Sequence, residues 1–286
     1  MAENTNQGNP LQKYYRQPKL YFELPSKGKF YPAGVLETTE TGEFPVYSMT
    51  AKDELAFKTP DALINGQSTV DVIQSCIPNI KNAWEMPSLD LDAVLIAIRI
   101  ATYGETMSLS TTVPGIEEER EFTVDLREIV SRFGGVDFDD TVYIDDLVIK
   151  IRPMSYKEYT QSSLKTFEEQ RVFSIVNDDN MSEEEKINKF TATFKRLTEM
   201  TVGMVMSSIA SIQVGEDVVT NSAQIKDFIQ NADKKFYTAI VNHVTAQKEK
   251  YAVPPMTVMT DVEDREKGAP EKFEVPIVFD QANFFA

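Results

Sequence analysis

The sequence predicts an α+β fold: a mixed N-terminal part of short β-hairpins and helices, then a helical C-terminal part, then an extended tail. Three observations lead there. Short aromatic and β-branched runs alternate with Pro and Gly turns as far as residue 50. Helical periodicity takes over from 50 to 104 and returns from 155 to 250, with period-two hairpins between 105 and 152. After Pro254-Pro255 the chain turns extended again. The expected organisation is a flexible arm at 1–17, a mixed domain at 18–152 with a hairpin at 105–126, a helical domain at 153–253 and an extended tail at 254–286.

The arm is polar and lacks an apolar period or an apolar signal region, so synthesis in the cytosol is expected. Its Tyr14, Tyr15 and Arg16 are candidates to anchor on a partner surface. Leu20 to Leu24 is strand-like and Pro25-Ser26-Lys27-Gly28 is turn chemistry. Phe30 to Pro32, Val35 to Glu37 and Phe44 to Tyr47 predict further edge strands. Thr50 and Asp53 have the spacing of a capping box, with Pro60 dividing the helical stretch that follows. A second helix starts at Ser68 or Thr69 and carries Val70, Ile73 and Ile77 on one face. Trp84 lies in a connector between Pro78 and Pro87 and is expected to plug the core. Leu89 to Tyr103 is an apolar helix, entered through Ser88 as its cap and ended by Gly104.

The hairpin at 105–126 turns through Val113-Pro114-Gly115-Ile116. Leu126 to Phe133 reads as a short amphipathic helix, and Thr141 to Arg152 as a hairpin turning at Asp145-Asp146. Two long helices follow, at 155–176 and 182–209, the second opened by the capping box of Ser182 and Glu185. A small hairpin across Gly215 leads to helices at 223–231 and from Asp233 to about Lys250, and Phe273 to Phe279 closes the chain as a strand. Glu121 to Asp125 is similar to Glu271 to Val275, which suggests that the terminal strand can pair back onto 105–126.

The charge of -16 repels phosphate backbones and argues against nucleic acid as a partner. No apolar run approaches the roughly 18–20 residues that span a bilayer, so membrane insertion is not expected. One cysteine, Cys76, excludes an internal disulfide and a Cys-based zinc cage, and the single His243 excludes HExxH chemistry. Asp137, Asp139 and Asp140 lack the Gly and Glu of an EF-hand loop. No phosphate loop and no positioned acid–base set is visible, so the chain reads as a non-enzyme. Phe284-Phe285 either ends the last strand in the core or plugs a partner pocket.

Several strings carry a resemblance: Leu24-Pro25-Ser26-Lys27-Gly28-Lys29-Phe30-Tyr31, Pro45 to Ala51, Lys58 to Gly66, Ser75 to Ile80 with Trp84, Ala97 to Gly104, and the closing Phe279 to Phe285. Together they resemble the baseplate hub or hub-assembly protein family of T-even-like contractile-tailed bacteriophages. Members commonly carry C-P-x-C-G knuckles ahead of the strand that matches Phe122 to Leu126. The first pair would fall on Val113 and Ile116, with Pro114 kept between them, and the second within 259–270. Both are empty here, so the resemblance implies a degenerate zinc-ribbon-like hairpin in which Val113 and Ile116 replace the metal by apolar packing. It implies no metal and no other cofactor.

The function implied is non-enzymatic: a hub subunit or hub assembly factor that acts through contacts with other baseplate and tail hub proteins. Homo-oligomers are one form such an assembly can take. The expected location is the host cytoplasm during assembly and the tail baseplate of the virion. The alternative is a transient tail assembly chaperone absent from the mature virion. Tyr14, Tyr15, Phe284 and Phe285 are the candidate partner contacts.

Overall fold

The computed structural model of the protein describes residues 9–57, 66–175 and 182–277. Phe284 and Phe285 therefore lie outside the described residues, as does the division expected at Pro60. The architecture is α+β, with small antiparallel sheets set among helices. In chain order, β1 is Pro18–Glu23 and β2 is Glu43–Tyr47; α1 is Ala51–Phe57, α2 Gln67–Cys76 and α3 Leu91–Tyr103. Strands β3 (Thr106–Thr112) and β4 (Glu119–Asp125) precede α4 (Leu126–Phe133), and β5 (Thr141–Ile144) and β6 (Leu147–Ile151) precede α5 (Tyr156–Ile175). The remainder is α6 (Glu183–Ser207), β7 (Ile209–Val214), β8 (Asp217–Val219), α7 (Ser222–Asn231), α8 (Lys234–Lys250), β9 (Met256–Met259), α9 (Val262–Glu266) and β10 (Lys272–Val275).

Two cores hold these elements. The first surrounds α3, in which Leu91, Arg99, Ala101 and every residue from Ala93 to Ile98 are buried. A helix apolar on all sides must be covered on all sides, and β1, β2, α1, α2 and α4 supply that cover. Trp84 is half-buried against this core and stacks on Tyr156 with ring centroids 5.5 Å apart. The second core is a four-stranded antiparallel sheet, β5-β6-β7-β8, covered by the end of α6 and by α7 and α8. Val142, Ile149, Ile212, Ile225 and Ile240 are among its buried residues.

Several details depart from the expectations. Helix α3 does not start from a Ser88 cap: Ser88–Asp90 is a single 3-10 turn, and the Ser88 N–H donates to the Met154 carbonyl at 2.8 Å. The hairpin at 141–151, assigned by sequence to the mixed part, belongs to the second core, because β6 pairs with β7 from Leu147↔Val214 to Ile151↔Ile209. The terminal strand β10 pairs with β9, from Lys272↔Met259 to Val275↔Met256, and not with the hairpin at 105–126. Thr50 and Asp53 do form a reciprocal cap: Asp53 Oδ2 accepts from the Thr50 N–H at 2.8 Å and Thr50 Oγ1 accepts from the Asp53 N–H at 3.3 Å. The capping box of Ser182 and Glu185 is likewise complete.

Candidate functional site: two hairpin tips and an anchored arm

Strands β3 and β4 pair without a register break from Thr106↔Asp125 to Thr112↔Glu119. Their tip is a tight backbone knuckle. The Val113 N–H donates to Glu118 O at 2.9 Å, and Val113 O accepts from the N–H groups of Ile116 and Glu117. Gly115 sits there at φ +91°, in the left-handed region that suits glycine. The second hairpin, β9 and β10, carries α9 in its connection and is closed by the Thr260 N–H donating to Glu271 O at 3.0 Å.

The two tips face each other. A Cβ placed on Gly115 would lie 2.9 Å from the carbonyl oxygen of Gly268, so the backbones touch where only glycine fits. Beside this contact Arg120 forks onto Asp264, with Nε 3.1 Å from Oδ2 and Nη2 3.0 Å from Oδ1. Arg120 also pairs with Glu118, and Lys267 lies 3.8 Å from Glu118. The bonds to Asp264 and Glu118 hold the Arg120 guanidinium still more firmly in its charged form. Further along, Phe122 and Phe273 meet edge to face at 5.7 Å. The hairpins are thus joined by side chains and close backbone approach, without shared ladder bonds.

Val113 is fully buried and Ile116 half-buried at this junction. Both are aliphatic, and the buried carboxylate of Asp264 has both oxygens engaged by Arg120. Such a donor set does not fit zinc, which takes thiolate, imidazole or free carboxylate ligands. Among the described residues no group of three His, Cys, Asp or Glu is placed to hold a metal ion.

Two further constellations lie elsewhere, the first built around Asp90, which the sequence did not flag. Asp90 is buried and accepts from the Ser26 N–H at 2.7 Å, Ser26 Oγ at 2.6 Å and Tyr31 Oη at 2.9 Å. Burial pushes its carboxyl up to about 6 against the opposing pull of those three bonds. The Ser26 and Tyr31 donors both belong to the string Leu24 to Tyr31 and have no local signal that points to residue 90. Arg16, expected to reach a partner, instead binds the protein's own body. It donates to Ser48 O at 2.6 Å and to Ser75 O at 2.5 Å, and lies 3.5 Å from Asp53. Cys76 beneath it is buried, and desolvation pushes its thiol up to about 12, the opposite of an activated nucleophile.

That anchor leaves Tyr14 and Tyr15, 74% and 57% exposed, projecting beside it. They are remote in sequence from Val113 and Ile116, and no described contact joins the two pairs. His243 is half-buried with Nε2 2.8 Å from Asp139 O. A mostly apolar cleft of about 370 Å³ separates α3 from α8 and is bordered by Phe138, Tyr251, Val253 and Ile277. No described helix is long and apolar enough to cross a membrane.

A family model described as T4 bacteriophage base plate protein matches residues 17–264. No curated protein and no solved structure matches. The matched span takes in Arg16's neighbours, both cores apart from Ile277, the Asp90 clamp and the first of the facing hairpin tips, together with Asp264 of the second. The chain belongs to the T4 bacteriophage base plate protein family.

Proposed function

We propose that the chain is a non-enzymatic hub component of the baseplate, either a resident hub subunit or a hub assembly factor. The family match over 17–264 carries this reading, and the hub-like strings quoted above narrow it to the hub. The side-chain chemistry supports it. The buried titratable groups Asp90 and Cys76 are held by internal partners, and the aromatic side chains on offer at the arm, Tyr14 and Tyr15, suit protein surfaces. Phe284 and Phe285 are the second proposed contact with other hub proteins. The acidic field disfavours nucleic acid, and the working location is the host cytoplasm during assembly and the tail baseplate afterwards.

Quantitative mass spectrometry of purified virions, alongside assembly intermediates, tests this. A small, fixed ratio of this chain to other hub proteins in the virion is the expected result for a resident subunit. Presence in intermediates with absence from virions supports the assembly factor or chaperone instead. Absence from both overturns the hub reading.

A further inference from the structure

We propose that the exposed face of α6 is a self-association surface, on which a second copy of this chain packs its own α6 antiparallel. Ile187, Phe190 and Phe194 are spaced three and four residues apart and so share one stripe of the helix. They are 62%, 45% and 61% exposed, and belong to neither core. The rings of Phe190 and Phe194 stack at 6.5 Å. Large apolar side chains gathered on one helical stripe mark a contact surface more than scattered ones do.

The charges name the occupant. The chain carries -16 overall, so two copies repel unless they meet where charge is balanced. Helix α6 is such a place, with four acidic residues (Glu183, Glu184, Glu185, Glu199) and four basic ones (Lys186, Lys189, Lys195, Arg196). Glu184 and Lys195 stand about 16 Å apart along the axis and differ by about 20° around it, so they occupy the same flank of the stripe. A parallel two-fold pair would put the Glu184 and Lys195 flanks of the two copies on opposite sides of the seam, so these charges would not meet. An antiparallel pair with its midpoint beside Phe190 sets Glu184 of each copy opposite Lys195 of the other. The same register drops Ile187 of each copy between Phe190 and Phe194 of its mate. Apolar fit and charge therefore select one self-complementary arrangement, as an isologous two-fold contact requires. One helix pair buries less than a standard permanent interface, so the association is weak, on the order of micromolar. The inference does not depend on which hub role the chain plays.

Sedimentation velocity of the full chain across a micromolar concentration series, with light scattering, tests it. The expected mass rises from 32.3 kDa toward about twice that value. Phe194→Glu is expected to leave only monomer with an unchanged far-ultraviolet spectrum. Lys195→Glu or Glu184→Lys alone is expected to weaken the dimer about tenfold. The double swap Glu184→Lys with Lys195→Glu is expected to restore it. A chain that stays monomeric throughout the series, a dimer indifferent to Phe194→Glu, or a double swap that fails to restore association would each overturn the proposal.

Discussion

Asp90 is a carboxyl group with no solvent access, held by three donors from the turn between Ser26 and Tyr31. Its carboxyl is raised from 3.8 to about 6, so the folded state holds its proton more tightly than the unfolded chain does. The stabilising contribution is thus present at acidic pH and is lost as pH rises through about 6. Wild type should gain about 2 kcal/mol over Asp90→Asn between pH 7.5 and pH 4.5, measured by urea unfolding. Carboxyls lowered by their partners, such as Glu158 beside Arg152, move stability the other way but are common to both proteins. An equal gap at both pH values would remove Asp90 from the account. This clamp was not legible in the sequence. Locally Asp90 looks like the first turn of a helix, and its donors lie 64 and 59 positions away. Arg16 was misread for the same reason, since a cationic side chain in a polar arm carries no sign that Ser48 and Ser75 receive it.

Elements with their own periodicity were legible: the body of α3, α6 with its Ser182 box, and the hairpins at 105–126 and 141–152 taken by themselves. What each hairpin pairs with was not, because alternation fixes which face is buried and not which strand lies alongside. Hence β6 finds β7 across α5 and α6, and β10 finds β9 and not β4. The likeness of Glu121 to Asp125 and Glu271 to Val275 instead corresponds to two hairpins that meet side by side through Phe122 and Phe273. The tips depend on glycine. Gly115→Ala would place a Cβ 2.9 Å from a backbone oxygen at a left-handed φ, and is expected to cost about 1–3 kcal/mol or more. Gly104→Ala, at φ +98° with nothing within 4 Å, carries only the conformational cost and should destabilise less. Equal losses in the two variants, read by thermal unfolding, would mean that the tips do not touch as described.

On the scale of the molecule, the chain leaves the second core after Ile151 and re-enters the first at Tyr156, where the Tyr156 N–H donates to Met86 O at 2.7 Å. We propose that each core is a folding unit and that the chain passes from one to the other near Val136, ahead of the 141–151 hairpin. The family and the α+β class were both legible, the first in whole strings such as Leu24 to Tyr31 and the second in changes of period. The partner surfaces were less so: the acidic charge describes the whole surface, whereas the apolar stripe of α6 emerges only once its side chains are seen outside both cores. If the chain works as a component in building the baseplate hub, its loss must show in the particle. The most direct measurement is electron microscopy of lysates from phage whose copy of this chain is cut short by a stop codon. Particles lacking complete baseplates, restored by supplying the chain in trans, are the predicted result. Complete, infectious virions in normal numbers without the chain would contradict the account.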